Sequence, residues 1–577
     1  LRAIEESVAI SLKTNRLMPF LKRLLHRFAL RNDKASRHFG TNSINYIRRK
    51  FDLLLMIILT LGVFLRIYHL GTRSLWIDEA IQATAAGSRS ISEIFASINI
   101  QAASPPLDFL FTRFFLLLGK GDFFVRLHAA VFGILSVYFI YKIGRLLFNK
   151  TVGYISAFML SVSTYHILYS QEARFYSSLV FFSLLNVYLF FKALEEDRFR
   201  NWCFLALGNV LGLYTHYFIS FIILSEGVFI VLLLGLRFVL RKPLELAIKV
   251  RAKTLFRFLI SSFIAFIALV PWLLYMGIQE HGPTEAEWGF DTIVEILAFF
   301  SQFRREWLLI FLFFCLGGII LSSKKDVEKV IFILIPFALI PLVLQLIVWQ
   351  KYFFHHRQVI FVLPIYLMLI SLGMYNISRT CARFLSIPFK RKSIQNVMRI
   401  FFIVIILLFI SIKMHFPAVK EYFTTDRIVS HAKFIADWKG AVKYMVENSP
   451  EGSLVIYNLV NFPKVPWYYF SWLDPKKDNV LVNLDSPTSI RRRLTIIKPK
   501  IWYIFDEKSE GIIPILTEDY SVNRFQGLFT VSKKLIPNPR AAINDAIHIC
   551  SQFLSVYSNR FVKTELDNLY DFLREED

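Results

Sequence analysis

Charge is scarce along these 577 residues: Asp, Glu, Lys and Arg together make up 19%, against about 25% in an average soluble chain. Cysteine is scarcer still. The four present, Cys203, Cys315, Cys381 and Cys550, fit neither a zinc spacing nor a disulfide framework. No GxGxxG, Walker loop or DxD motif occurs in the polar segments, so nothing points to a nucleotide-sugar or ATP site. Internal repeats and low-complexity tracts are also missing. These absences exclude a disulfide scaffold, a coiled coil, a collagen-like chain and a disordered one. What fills the sequence is apolar: 55% hydrophobic residues with 59 Phe, and a mean hydropathy of +0.49. The chain reads as an integral membrane protein.

A hydrocarbon core of about 30 Å needs about 20 apolar residues per helical crossing. Eleven runs qualify, near 51–70, 123–147, 152–169, 175–194, 202–218, 220–236, 258–277, 306–321, 329–349, 358–378 and 400–415. A twelfth, 106–118, is short, follows Pro105-Pro106 and carries Asp108 and Arg113. The net charge of +24 would suggest nucleic acid in a soluble protein, but here its placement matters more. With 106–118 lying in the interface, the segments assigned to the cytoplasm hold 34 Lys or Arg against 9 acids, and the outer loops 9 against 12. Counting 106–118 as a crossing would put the basic stretches 237–257 and 379–399 outside, against the positive-inside rule. The expected fold is therefore a polytopic α-helical membrane protein of about eleven transmembrane helices, with interfacial helices in its outer loops and a C-terminal soluble α/β domain.

Three regions follow. Residues 1–50 form a basic, partly amphipathic arm expected to rest on anionic lipid at the cytoplasmic face. No signal peptide is expected, because the first long apolar run starts only at Phe51. Residues 51–415 are the transmembrane domain. Residues 416–577 carry 21 basic and 20 acidic residues and no spanning run. There, 453–459, 479–484 and 501–506 read as strands, and 431–447 and 487–497 as helices. An odd number of crossings puts this domain outside the cytoplasm, most simply at the cell membrane.

This topology gathers ionisable residues on the outer face. Asp78 and Glu79 follow the first crossing in GTRSLWIDEA, and Asp108 follows in SPPLDF. Glu172 and Arg174 end the third crossing in YSQEARFYS, and His216 ends the fifth. Glu280 and His281 follow the seventh, and Lys351, His355, His356 and Arg357 end the ninth. Each has a plain structural reading: a helix cap for Asp78 and Glu79, an ion pair for Glu172 and Arg174, interfacial side chains for His216 and His281, an anchor for Lys351 and the HHR run. Their convergence on one face favours a functional site. Carboxylates among Arg and Lys side chains suit glycosyl transfer from a lipid phosphate: a carboxylate takes the acceptor proton, and guanidinium groups stabilise the leaving phosphate.

SLWIDEA after the first crossing, then PPL, then YSQEARFY resemble the GT-C glycosyltransferases related to protein O-mannosyltransferases and lipid A aminoarabinose transferases, over roughly residues 50–380. The resemblance implies a polyprenyl-phosphate sugar donor, a lipid, glycan or protein acceptor, and chemistry outside the cytoplasm. It implies Asp78 as general base, Glu79 tuning it or helping to hold the acceptor, and Glu172 and Arg174 in the same pocket. Arg357 stands where the family often has an Arg near the donor phosphate, although it follows His355-His356 rather than opening an Arg-Tyr pair. Ser104 stands where the mannosyltransferase branch often has His, which disfavours protein O-mannosylation. The aminoarabinose branch implies a divalent ion, for which Glu172 and His216 are candidate ligands. A multi-pass transporter or lipid flippase is the alternative from another class; it calls for ionisable groups at helix midpoints and two related halves. A polymerase or ligase of lipid-linked glycans would share the topology but lacks the loop Asp-Glu signature.

Overall fold

The computed structural model describes residues 52–101, 104–239, 250–277, 290–349, 356–385, 392–425, 436–449, 454–456, 464–473, 480–482, 498–506, 520–525, 528–536, 548 and 551. The N-terminal arm, the expected helix at 487–497, Glu280, His281, Lys351, His355 and Cys550 lie outside them.

Helix α1 (Leu53–Ile67) is followed by three short helices, α2 (Ile77–Ala86), α3 (Ile91–Gln101) and α4 (Leu107–Leu116). At 1.5 Å per residue the ten residues of α4 reach only about 15 Å. Helix α5 (Asp122–Leu147) then opens beside the end of α1, because Arg126 near its start donates to the carbonyls of Leu70, at 3.2 Å, and Arg73, at 2.7 Å. The chain between them leaves and returns at one place. Gly121 initiates α5 with φ +98°, a backbone geometry that a side chain would strain.

The expected third crossing is two helices, α6 (Lys150–Ser161) and α7 (Thr164–Ser170). Both have side-chain caps: Asn149 Oδ1 accepts the N–H groups of Thr151 and Val152 at 3.0 and 3.1 Å, and Ser163 Oγ accepts that of His166 at 3.4 Å. Helices α8 (Tyr176–Glu196), α9 (Phe199–Thr215), α10 (Ile219–Val239) and α11 (Ala252–Met276) follow, then α12 (Phe290–Phe300), α13 (Arg305–Ile320), α14 (Val327–Trp349) and α15 (Leu363–Leu385). Helix α16 (Lys392–Ile410) runs through a π-helical turn at Ser411–His415 into α17 (Phe416–Thr424). Six helices are long and apolar enough to cross a membrane by themselves among the described residues, or seven if the pair Arg305–Ile320 and Lys324–Leu339, bent by 105°, forms one span. The other expected crossings fall on α1, with 15 residues, on α9, with 17, on the broken α6 and α7, and on division of the bent pair. The chain is a polytopic helical membrane protein.

Its C-terminal part holds α18 (Trp438–Glu447), α19 (Lys464–Leu473) and strands β1 (Leu454–Ile456), β2 (Val480–Val482), β3 (Lys498–Asp506), β4 (Tyr520–Phe525) and β5 (Leu528–Ile536). The sheet order is β2-β1-β3-β5-β4. Strand β1 runs parallel to β2 and β3, whereas β5 is antiparallel to β3 and β4. Helix α19 and the β4–β5 hairpin were not read from sequence. One buried apolar cluster joins this domain to the membrane part: Trp438, Ala441, Val442, Met445, Tyr469 and Trp502 pack with Leu75, Ala80 and Ala83 of the α2 region. Helix α2 carries Asp78, so that carboxylate and the sheet domain lie on the same side of the membrane part.

Candidate active site

Glu79 organises the local backbone. It is fully buried, and Arg126 grips both its oxygens, Nε to Oε1 and Nη2 to Oε2, each at 2.7 Å. The same carboxylate accepts the N–H of Ala173 at 2.8 Å and, from the third position of α2, that of Trp76 at 3.3 Å. The last contact is half of a capping box, so the plain helix-cap reading describes Glu79. With these four hydrogen bonds made in the protein interior, Glu79 is not placed to hold an acceptor; it fixes the turn that presents its neighbour.

Asp78 points elsewhere and keeps 27% of its side chain exposed. Two guanidinium groups flank it, Arg357 Nη2 at 3.7 Å and Arg174 Nε at 3.9 Å from the same Oδ2. Both distances exceed hydrogen-bond length, so the cations attract the carboxylate without locking it. Both guanidiniums are held over rings. Arg357 lies 4.9 Å from the Trp76 centroid and 5.7 Å from that of Tyr176, and Arg174 lies 5.3 Å from that of Phe175. Burial works against the charge on Arg174, but Asp78, Tyr176, Glu172 and Asp108 outweigh it and hold the proton more tightly than usual.

The SQEARFY segment can now be read residue by residue. Gln171 Nε2 donates to the carbonyls of Leu65, Arg66 and Tyr68 at 3.3, 3.2 and 2.7 Å, closing the C-terminal end of α1. Glu172 is 1% exposed and within electrostatic reach of Arg174 and Arg357. Ala173 gives its N–H to Glu79, and Arg174 faces Asp78. His216 stacks on Phe175 at 4.0 Å between centroids, and its Nδ1 accepts the N–H of Phe218 at 3.1 Å. The site therefore draws together Asp78, Glu172, Arg174, Arg357 and, one ring further, His216. His356 begins the 3-10 turn that delivers Arg357, but its side chain, like all of Lys351, lies outside the described residues.

A second polar cluster lies one helical turn along from Asp78. Asp108 Oδ1 accepts from Ser178 Oγ at 2.7 Å, and Oδ2 accepts from Gln82 Nε2 at 2.5 Å and meets His128 Nε2 at 3.4 Å. Burial raises the pKa of Asp108, but the charge and hydrogen bond of His128, with Ser178 and Gln82, carry it below the usual carboxylate range. Gln82, His128 and Ser178 were missed from sequence, as isolated polar residues inside helical patterns carry no local signal. So was Glu226, a fully buried carboxylate in α10 with no hydrogen-bond partner among the described residues.

No group of three or more His, Cys, Asp or Glu is arranged to hold a metal ion among the described residues. His216 uses Nδ1 on a backbone N–H, which leaves it one nitrogen, and it does not combine with Glu172 into a three-ligand set.

Residues 103–275 match the family model of dolichyl-phosphate-mannose-protein mannosyltransferase. A provisionally named mannosyltransferase of Bacillus subtilis (strain 168), YkcB, is 27% identical over 162 residues, 26% of this chain and 22% of that protein. The matched stretch thus spans about a fifth of the relative's length. Among solved structures, apo ArnT from Cupriavidus metallidurans is similar at 14% identity, covering 85% of this chain and 98% of the other, with a TM-score of 0.49. The Archaeoglobus fulgidus oligosaccharyltransferase in the apo form is similar at 11% identity, covering 82% and 74%, with a TM-score of 0.44. The family and sequence matches support the GT-C glycosyltransferase superfamily for this chain.

Proposed function

We propose that the chain is an inverting glycosyltransferase that moves one monosaccharide from a polyprenyl phosphate to a lipid, glycan or protein acceptor outside the cytoplasm, at the cell membrane. The observation that carries this reading is the partly exposed Asp78 carboxylate between two guanidiniums that are mostly shielded from solvent, 3.7 and 3.9 Å away. In the reaction, Asp78 takes the acceptor hydroxyl proton as that oxygen bonds to the anomeric carbon. The bond from that carbon to the phosphate oxygen breaks on the opposite face, and the phosphate keeps the electron pair. Arg357 and Arg174 stabilise the charge gathering there, because their forks suit phosphate oxygens. Glu79 and Arg126 are positioning residues that hold the Asp78 turn. Glu172 and His216 belong to the same site, and His356 and Lys351 are assigned to it from sequence.

The test is transfer of label from radiolabelled polyprenyl-phosphate hexoses and pentoses to membrane extract by the purified chain. Asp78→Asn keeps the shape and removes the base, and should lower kcat at least a hundredfold, within the usual range of general-base contributions. Unchanged transfer in a folded Asp78→Asn protein refutes the assignment. A transport reading would instead lean on Glu226 at depth in α10; movement of intact lipid-linked sugar without transfer, lost in Glu226→Gln, would favour it.

A further inference from the structure

The segment between α1 and α2, which delivers Asp78, is held by the C-terminal domain as well as by Arg126. The hydroxyl of Tyr469, on α19, accepts the backbone N–H of Leu75 at 2.6 Å and donates to Asp122 Oδ2 at 3.2 Å. Lys439, on α18, places Nζ 3.2 Å from the same Asp122 oxygen and 3.0 Å from the carbonyl of Gly71. Its backbone N–H donates to Ser74 Oγ at 3.0 Å, and that hydroxyl donates to Asp437 Oδ1 at 3.1 Å. Asp437 is itself the cap of α18, accepting the N–H of Gly440 at 2.9 Å.

Three successive parts of the loop, Gly71, Ser74 and Leu75, thus end on two helices of a domain more than 350 positions away in sequence. The two Tyr469 contacts are buried, and those of Lys439 and Ser74 are part-buried. Tyr469 is fully enclosed, and the Asp122 side chain has no exposed surface. Burial, reinforced by Asp122, pushes the Tyr469 hydroxyl far above its ordinary pKa, so it stays neutral and can accept from Leu75 while donating to Asp122. Asp78 lies three residues beyond Leu75, in the first turn of α2, whose Ala80 and Ala83 pack in the same cluster as Tyr469.

We infer that Tyr469 and Lys439 are positioning residues for the transfer reaction: the C-terminal domain sets the place of the Asp78 turn through a relay of hydrogen bonds ending on Leu75, Ser74 and Gly71. This rests on Asp78 being the base. It assigns the domain to the catalytic step, where a small displacement of a reacting group is costly, rather than to recognition of an acceptor.

The experiment uses the full chain in lipid vesicles. Tyr469→Phe removes one hydroxyl, Lys439→Met removes the amine, and Lys439→Arg keeps a cation. Both Tyr469→Phe and Lys439→Met should lower kcat about ten- to a hundredfold with KM for donor and acceptor little changed, while Lys439→Arg recovers most of the rate. Amide exchange measured without substrate should accelerate at 70–80 in the first two. Unaltered exchange there overturns the inference whatever the kinetics, as does a raised acceptor KM at normal kcat. Should Tyr469→Phe fail to fold, Ser74→Ala tests the same relay with the same two readouts. Asp78→Asn is assayed alongside. If it retains transfer, the base assignment fails, whereas unchanged exchange in the domain variants is a failure of the relay alone.

Discussion

The backbone N–H of Ala173 donates to Glu79 Oε1 at 2.8 Å, joining two segments 94 positions apart. Each partner is the immediate neighbour of a charge in the site, Glu79 of Asp78 and Ala173 of Arg174. One buried hydrogen bond thus registers the carboxylate against the guanidinium. The side chain that accepts it is already held by Arg126.

Glu79→Gln should therefore be a stability variant first and an activity variant second. It leaves the Arg126 guanidinium, 4% exposed, without its counter-charge. Breaking such a pair costs about 3–5 kcal/mol, to be read as a lowered thermal midpoint in detergent. Salt should not reproduce the loss in the parent protein, because buried pairs are poorly screened. A midpoint equal to the parent's would show that Arg126 finds other compensation.

Arg357→Lys keeps the charge beside Asp78 but gives up the planar fork and the stacking on Trp76 and Tyr176. Lysine is a poor replacement where both matter. Donor affinity should fall about tenfold, equivalent to about 1.4 kcal/mol, with the fold intact. Titration of a non-transferable polyprenyl-phosphate analogue measures this, and equal affinity in the two proteins would remove Arg357 from the phosphate site.

Asp108 makes acid stability measurable. Its folded-state pKa is depressed, since the His128 charge and hydrogen bonds outweigh burial. The stabilisation is therefore complete above the unfolded pKa of about 4 and is lost as pH falls through the lower folded value. Acid unfolding below about pH 4 should be shallower in Asp108→Asn, with a lower plateau at neutral pH. Parallel curves separated by a constant offset would mean that Asp108 does not titrate with unfolding.

Hydropathy was the legible part of this sequence. Runs of apolar residues located the long helices, and charge asymmetry kept 106–118 from being taken as a crossing, in keeping with the ten residues of α4. The break at Val162–Ser163 was not legible, because Ser163 reads as an ordinary small residue until its hydroxyl is seen capping α7. The adjacent acids Asp78 and Glu79 stood out as a pair, yet sequence could not divide their work. Successive positions on a helix point about 100° apart, so one faces the guanidiniums and the other the interior. Asp122, Lys439 and Tyr469 looked unrelated because nothing local links α5 to α18 and α19. Only the tertiary fold brings them to one oxygen.

The amide of Gln171, which closes α1, also accepts the Tyr422 hydroxyl of α17 at 2.7 Å, while Arg73 donates to the Tyr422 carbonyl. That stitch lies upstream of the sheet domain, so dissection at the end of the last apolar helix would cut through it. A shortened protein ending near 415 would lose a hydrogen-bond acceptor for Arg73 and a donor to Gln171, and would bare the Leu75–Ala83 surface to water. The polar C-terminal third is in this sense no detachable module, and attempts to exchange it between related enzymes should carry α17 along with it.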